Sequence, residues 1–202
     1  MIVLSDLVMR LFLSFLFILA TTAAGACIEQ EPCLVGDRSY HVKEPDGWDG
    51  TSPLPVMLHF HGWGRQGTLI VKHKRIAGAT VPRGVLLLAP NGLGRTWDFW
   101  RAGSEDTPFA EAVLEDAAKR YPIDRSRIYI SGYSYGSAMA WRFVCDSQVP
   151  VAALLAVAGT LDQRESCLNR PWLIRQCHGL PIWGEWRHDL PRCPVATGLR
   201  MR

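Results

Sequence analysis

Several features that mark specialised protein classes are missing from this 202-residue sequence. There is no Cys-x-x-Cys pair, and the six cysteines are not spaced as the ligands of a zinc site. Basic residues are not gathered into one block and the net charge is only +3, so a nucleic-acid partner is not indicated. Internal repeats and low-complexity tracts are also missing. These absences leave a single globular domain without a metal site as the expectation.

The N-terminus has the pattern of a secretory signal peptide. Met9-Arg10 provides a charged start, 11–20 an apolar run, and Ala24-Gly25-Ala26 an A-x-A cleavage site before Cys27. The apolar run is shorter than the roughly 20 residues that a membrane-spanning helix needs. An uncleaved membrane anchor and a lipoprotein cut before Cys27 are the alternatives. We expect removal of residues 1–26 and a secreted or periplasmic protein without stable membrane insertion.

All six cysteines lie in the part of the chain that would be exported, where disulfides persist. Six cysteines allow fifteen pairings, and sequence alone does not choose among them. We expect Cys27–Cys33 to close a short N-terminal loop, and Cys145–Cys167 to link a helix end to a loop.

Apolar strands alternate with helical stretches, and this order predicts an α/β fold. Buried strands are expected at 56–60, 85–89, 127–130 and 151–158, and an edge strand at 36–44. Helices are expected around 109–117 and over 137–145. The alternation favours a mostly parallel sheet with helices on both faces.

The most informative segment holds the pattern G-x-S-x-G at Gly132, Ser134 and Gly136. A β-branched and aromatic strand precedes it, and a stretch free of glycine and proline follows it. Such a strained strand-to-helix turn pushes the serine oxygen out of the sheet, and the following N–H becomes an oxyanion donor. The pattern predicts that Ser134 is a nucleophile. An ordinary turn serine is the alternative.

A second candidate segment, His61-Gly62-Trp63-Gly64, directly follows the strand expected at 56–60. Glycine there lets the backbone curl, so that the N–H of Trp63 can face the N–H of Tyr135 across an oxyanion hole. His61 is expected to bond within its own loop and not to serve as the catalytic base. A plain β-turn with a structural histidine is the alternative interpretation.

These motifs resemble the polyhydroxybutyrate depolymerase-like esterases of the α/β-hydrolase superfamily, a group that includes feruloyl esterases. The resemblance extends from about Cys27 to Gly179. Its motifs are the serine turn and segments 33–40, 59–63, 85–90, 121–124, 127–129 and 158–160. It implies a secreted serine esterase with an acyl-Ser134 intermediate, oxyanion donors at Trp63 and Tyr135, and no cofactor. It also implies a small-molecule or polymeric ester substrate, such as a polyester or an acylated plant polysaccharide.

The C-terminal part departs from the family pattern. Members carry His-Gly-x-x-Asp, in which the aspartate orients the catalytic histidine, but here His178-Gly179 is followed by Ile182 in the place of the acid. We expect an incomplete α/β-hydrolase domain at 27–180 with its C-terminal strands missing, and an irregular tail at 181–202 from a truncated or frame-shifted gene. The triad acid and base are therefore not assigned. The alternative function is a catalytically impaired fragment or a non-catalytic binding protein.

Two weaker features can be explained by structure as well as by function. The aromatic segment Trp97, Phe99 and Trp100 either lines a groove for an aromatic or polymeric ester or packs as a loop over the sheet edge. His73 lies in a run of basic residues and is most simply explained as a solvated side chain on a surface helix.

Overall fold

The computed structural model describes Cys27 and residues 31–159. In that part of the chain, six strands form one sheet in the order β1-β2-β4-β3-β5-β6. The strands are β1 (Cys33–Val35), β2 (Arg38–Lys43), β3 (Leu54–Phe60), β4 (Leu86–Pro90), β5 (Ile123–Tyr133) and β6 (Ala153–Val157). The helices are α1 (Gly67–Lys72), α2 (Lys74–Thr80), α3 (Asp106–Arg120) and α4 (Tyr135–Asp146), with single 3-10 turns at Val81–Arg83 and Leu93–Arg95.

The sheet is mostly parallel, which confirms the fold class expected from the sequence. Strand β3 pairs in parallel with β4 and β5, and β5 pairs in parallel with β6. Strands β1 and β2 form an antiparallel hairpin, and β2 also runs antiparallel to β4. The carboxyl ends of β3 and β5 therefore lie side by side, which is where the two candidate motifs begin.

One element was placed wrongly by the sequence. The strand expected at 36–44 was assigned to the sheet edge, but β2 lies between β1 and β4. The chain folds back at Gly36, whose φ of 62° is in the left-handed region that glycine adopts without strain. The three residues of β1 then cover the outer side of β2, with Cys33 opposite Tyr40.

Helices cover both faces of the sheet because successive strand residues point to opposite sides. Leu86 and Leu88 of β4 belong to the larger core, which includes the buried faces of α3 and α4. Leu87 and Ala89, the alternate residues, pack with the buried side chains of α1 and α2 on the other face. Helix α3 ends at Arg120, because the residue before Pro122 is driven out of the helical region, and Tyr121 is extended.

The Cys27–Cys33 disulfide is present, as expected. The expected Cys145–Cys167 link reaches beyond the described residues, and the signal peptide at 1–26 and the tail at 181–202 lie outside them. Among residues 31–159, no helix combines the length and the apolar character needed to cross a bilayer.

Candidate active site

Ser134 occupies a sharp turn between β5 and α4. Its φ of 54° and ψ of −120° are unfavourable for a residue with a side chain, and such a conformation costs on the order of 1–3 kcal/mol. Three backbone hydrogen bonds hold it in place. The Ser134 N–H donates to Val157 O at 2.9 Å, and Ser134 O accepts from the N–H groups of Ser137 at 2.9 Å and Ala138 at 3.2 Å. The residue as a whole is partly exposed.

The two glycines of the serine motif are required by close backbone packing. A Cβ atom on Gly132 would overlap the carbonyl oxygen of Gly136. A Cβ atom on Gly136 would overlap the carbonyl oxygens of Phe60 and His61. The second contact brings the start of α4 directly against the end of β3, and thereby against the His61-Gly62-Trp63-Gly64 segment, which we call the oxyanion loop.

The oxyanion loop lies next to the serine turn. A Cβ atom built on Gly62 would be 3.8 Å from the Ser134 Cβ and 3.3 Å from the Tyr133 carbonyl oxygen. Within residues 31–159, the N–H groups of Trp63 and Tyr135 have no hydrogen-bond acceptor. Tyr135 is the first residue of α4, where N–H groups have no partner inside the helix and the helix dipole favours negative charge.

His61 orients the oxyanion loop. Its side chain is fully buried, and Nε2 accepts the N–H of Gly92 at 3.1 Å. The ring proton is therefore on Nδ1, which donates to the Gly62 carbonyl oxygen at 2.9 Å. Because the peptide unit is planar and trans, fixing the Gly62 carbonyl also fixes the opposite direction of the Trp63 N–H. His61 thus bonds within its own loop through Nδ1, as the sequence suggested, and through Nε2 it also bonds to Gly92 outside the loop.

Burial keeps the His61 ring neutral. Desolvation lowers its pKa, the bond to the Gly62 carbonyl and the charge of Asp106 act in the opposite direction, and the charge of Arg95 lowers it further. The His61 carbonyl oxygen accepts the Trp97 indole N–H at 2.8 Å, and the two rings pack with centroids 4.7 Å apart. These contacts clamp the oxyanion loop to the segment that follows β4.

His59 is a residue of the site to which the sequence gave no role. It is buried on β3, and its Nδ1 lies 2.8 Å from the Ser131 hydroxyl of β5. Burial, followed by the charges of His61 and His73, lowers the pKa of His59 to about 3. The alternation of β3 places His59 on the opposite face from Leu58, but the pairing of His59 with Ser131 depends on the strand register.

The aromatic segment both packs and presents a surface. Trp97 and Phe99 are buried, whereas Trp100 is 68% exposed. The Phe99 ring meets Tyr135 edge-on at 5.2 Å, and the Trp100 ring lies 5.9 Å from Tyr135. The packing alternative therefore holds for Trp97 and Phe99, whereas Trp100 lies exposed beside the residue that follows Ser134. A substrate groove at this segment stays a prediction.

Buried polar contacts hold this aromatic segment in place. The Asp98 N–H donates to Asp106 Oδ2 at 2.6 Å, and Asp106 Oδ1 pairs with the Arg38 guanidinium at 2.7 Å. The Arg142 Nε donates to the Phe99 carbonyl oxygen at 3.1 Å. Arg38 and Asp106 are both almost entirely buried, so these charges act at low dielectric and fix the start of α3 against β2.

None of the four histidines in the described part of the chain is hydrogen-bonded to Ser134; these are His41, His59, His61 and His73. His73 is exposed at the junction of α1 and α2, in agreement with a solvated role. The segment around His178, where the family pattern has its acid, lies outside the described residues. Residues 31–159 also hold no cluster of three or more acidic, histidine or cysteine side chains arranged for a metal ion.

Similarity to known proteins agrees with this geometry. Feruloyl esterase C of Emericella nidulans is 24% identical over 151 residues, which cover 72% of this chain and 55% of that protein. Probable feruloyl esterase C of Aspergillus terreus is 25% identical over an alignment of 212 positions, covering 100% of this chain and 74% of that protein. No protein-family model matches the chain.

Among solved structures, acetyl xylan esterase from Aspergillus awamori superposes with a TM-score of 0.52 at 15% identity. The match covers 59% of this chain and 46% of that protein. At this identity the likeness shows the fold, which is that of the α/β-hydrolases. The chain spans about half the length of the Emericella relative.

Proposed function

The chain is a feruloyl esterase-like α/β-hydrolase, and from that premise we propose that it is a secreted serine esterase. It cleaves carboxylic ester bonds through an acyl-Ser134 intermediate. The observation that supports this best is the contact between two separate motifs: Gly62 of the oxyanion loop lies against Ser134, so closely that a Cβ atom added to the glycine would be 3.8 Å from the serine Cβ. If segment 61–64 were only a plain β-turn, this contact with a serine in a strained conformation would not be expected.

The chemistry follows from the donors around Ser134. The Ser134 oxygen attacks the ester carbonyl carbon, and the electron pair of the carbonyl double bond moves onto its oxygen. The N–H groups of Trp63 and Tyr135 donate to that oxyanion, while a base removes the serine proton. Collapse of the tetrahedral intermediate breaks the bond to the leaving oxygen, which takes the proton from the base and departs as the alcohol, with the acyl group left on Ser134. Water then gives a proton to the same base and attacks the acyl carbon, and the acid leaves as the proton returns to the Ser134 oxygen.

The base is proposed to come from outside residues 31–159, since no histidine within them bonds to Ser134. Without a base, a serine hydroxyl is a weak nucleophile at neutral pH. This same observation favours the second candidate function, a non-catalytic or catalytically impaired protein that retains the serine turn. The two functions differ in whether Ser134 turns over an ester.

We place the substrate among acylated polysaccharides in preference to polyesters. The two relatives described above are feruloyl esterases, and one structural neighbour is an acetyl xylan esterase. Exposed rings at Trp63 and Trp100 flank the serine turn and suit the flat face of a sugar or an aromatic acid. A hydroxybutyrate polyester, the other substrate that the sequence suggested, belongs in the same assay. Secretion would follow removal of residues 1–26.

The test uses the full mature chain, p-nitrophenyl acetate and a fluorophosphonate probe, beside Ser134→Ala. Turnover and labelling that both disappear in the variant support the proposal. A folded wild-type chain that shows neither supports the non-catalytic alternative. Comparison of feruloyl, acetyl-xylan and hydroxybutyrate esters then ranks the substrate classes, and a preference for the polyester would contradict an acylated polysaccharide as the substrate.

A further inference from the structure

The carboxylates of the chain are distributed unevenly around the candidate site. Residues 50–97 contain no aspartate or glutamate, but they contain six basic residues, Arg65, Lys72, Lys74, Arg75, Arg83 and Arg95. This stretch includes the oxyanion loop and most of the segment clamped onto it. The loops built from this stretch therefore carry positive charge with no acid of their own, and two of the acids that follow it, Asp98 and Asp106, are paired with Arg101 and Arg38.

Two arginines in this stretch have guanidinium groups that bond to nothing in the described part of the chain. Residues 31–159 contain ten arginines, and six of them form ion pairs. Arg83 donates to the Ala79 carbonyl oxygen, and Arg75 also has an interaction. The remaining two, Arg65 and Arg95, are both exposed, and their guanidinium groups form no hydrogen bond or ion pair within residues 31–159.

These two arginines lie together at the oxyanion loop. The Gly64 N–H donates to the Arg95 carbonyl oxygen at 2.8 Å, so Arg95 lies beside the residue that separates Trp63 from Arg65. The Trp63 side chain is 69% exposed. The charge of Arg95 is also close enough to His61 to contribute to its lowered pKa, after the larger effect of burial. We call Trp63, Arg65 and Arg95 the cationic rim.

Arg95 occupies a backbone conformation that suits glycine. Its φ is 63°, and it directly follows Gly94 at 57°. For a residue with a Cβ atom this left-handed conformation is strained. Residues with strained backbone conformations are concentrated at functional sites, where the position of the side chain contributes to binding or catalysis. At this position the side chain contributes a solvent-exposed guanidinium next to the candidate oxyanion hole.

We propose that the cationic rim binds a carboxylate of the substrate, so that the preferred substrate is an ester carried by an acidic polysaccharide containing uronic acid residues. This inference rests on the proposed function and narrows it. Arginine matches a carboxylate with two parallel N–H donors, and the exposed indole offers a flat apolar surface for the sugar ring. A neutral polysaccharide would use the indole alone.

The first test measures binding without turnover. Ser134→Ala is titrated with polygalacturonate and with a neutral arabinoxylan, and tryptophan fluorescence follows binding. Arg65→Gln/Arg95→Gly removes both rim charges and places a glycine where φ is positive. The matched control, Lys72→Gln/Lys74→Gln, removes two charges from the same acid-free stretch at the α1–α2 junction.

The rim variant is expected to weaken polygalacturonate binding about tenfold, at low ionic strength where exposed charges are least screened. The lysine control should change it less than about twofold. Equal losses in the two variants would overturn the proposal, because they would indicate only a general attraction of the surface for polyanions. Equal affinity for the acidic and the neutral polymer would overturn it as well.

The second test uses turnover. An acetyl group is placed on the methyl glycoside of galacturonic acid, which keeps its free carboxylate, and on the corresponding neutral methyl galactoside. The ratio of their kcat/KM values is compared between wild type and the rim variant. A fall in this ratio supports the cationic rim, and an unchanged ratio contradicts it. If wild type hydrolyses no ester, the proposed function fails, whereas the polygalacturonate titration still decides whether the rim binds carboxylates.

Discussion

His59 and Ser131 are joined by a buried contact of 2.8 Å between Nδ1 and Oγ, across the pairing of β3 with β5. The oxyanion loop begins at His61, two residues after His59, and Ser134 follows Ser131 by three. One hydrogen bond inside the sheet therefore connects the strand that carries the oxyanion donor with the strand that carries the nucleophile. The other ring nitrogen of His59, Nε2, is buried and has no partner within the described residues.

Loss of this contact is expected to destabilise the fold. Ser131→Ala leaves both ring nitrogens of a buried histidine without a partner, and such a loss costs about 1–3 kcal/mol. Urea unfolding of the mature chain measures the change. Ser126→Ala is the control, because Ser126 lies on the same strand with its hydroxyl bonded to Asp124 at the surface. The control should lose less than about 0.5 kcal/mol of unfolding free energy. Equal losses in the two variants would show that the buried contact stabilises the fold no more than a surface hydrogen bond does.

Acid should destabilise the protein partly through His59. Its folded-state pKa is about 3, below the value near 6.5 in the unfolded chain, so the unfolded state binds the proton more tightly. The contribution of His59 is fully present above about pH 6.5 and is lost as the pH falls from there toward about 3. The slope reaches about 1.4 kcal/mol per pH unit.

The comparison is between wild type and His59→Gln, whose amide does not titrate. The variant is expected to show a shallower loss of unfolding free energy between pH 6 and pH 4, since the carboxylates common to both proteins cancel. Parallel profiles would mean that His59 does not titrate over this interval.

How far the sequence could predict the molecule depends on the range of each interaction. The serine turn was predictable because its pattern falls within five residues of chain, and the obstacle to a side chain at Gly132 is the backbone of Gly136 in the same turn. The obstacle at Gly136 is the backbone of Phe60 and His61, which the pattern does not encode. The core strands and α3 were predictable because their apolar periodicity is long. The hairpin strand Cys33–Val35 was not, because three residues are too few to establish an alternating pattern.

The remaining features of the site depend on contacts between distant segments. The His59–Ser131 bond needs a register that no single strand encodes. The burial of Trp97 and Phe99 and the exposure of Trp100 could not be predicted either, because the segment has no apolar periodicity. The residues that anchor it, Arg38 and Asp106, lie on other elements. The catalytic roles of Ser134, Trp63 and Tyr135 stay predictions until the labelling experiment is done.

The role of His61 in orienting the oxyanion loop gives a kinetic prediction. His61→Phe keeps a ring against Trp97 but removes both nitrogen bonds. The Gly62 carbonyl then keeps only the bond from the Arg65 N–H, at 3.2 Å, and the direction of the Trp63 N–H is less firmly held. The rate of labelling by a fluorophosphonate should fall about 10- to 100-fold. Removal of a whole oxyanion donor lowers a rate by about 100- to 1,000-fold, and here the donor is kept but is less firmly oriented. For the ester substrate, kcat should fall while KM changes little.

His73→Gln is the matched control, because His73 is exposed and lies outside the loop. It should label at the wild-type rate. A His61→Phe protein that melts near the wild-type temperature and still labels at that rate would show that the ring bonds do not position the donor.

Two glycine-to-alanine substitutions should have opposite effects on stability. In Gly132→Ala the new Cβ meets the carbonyl group of Gly136 and lies 2.7 Å from the amide nitrogen of Ser137, so the first turn of α4 must move. We expect a loss of about 3 kcal/mol or more, because the obstacle is backbone. In Gly78→Ala the new Cβ lies on α2 with no atom within 4 Å, and the lower entropy of the unfolded chain should add about 0.5–1 kcal/mol.

Thermal melting of both variants distinguishes geometry from flexibility as the reason for the glycines at the serine turn. If glycine served Ser134 by flexibility, Gly132→Ala would mainly slow labelling and leave the melting temperature near that of wild type. If the turn needs close backbone packing, the melting temperature falls by about 6 °C or more, while that of Gly78→Ala rises. A stable Gly132→Ala protein would therefore contradict the packing of β5 against α4 on which the exposed position of Ser134 depends.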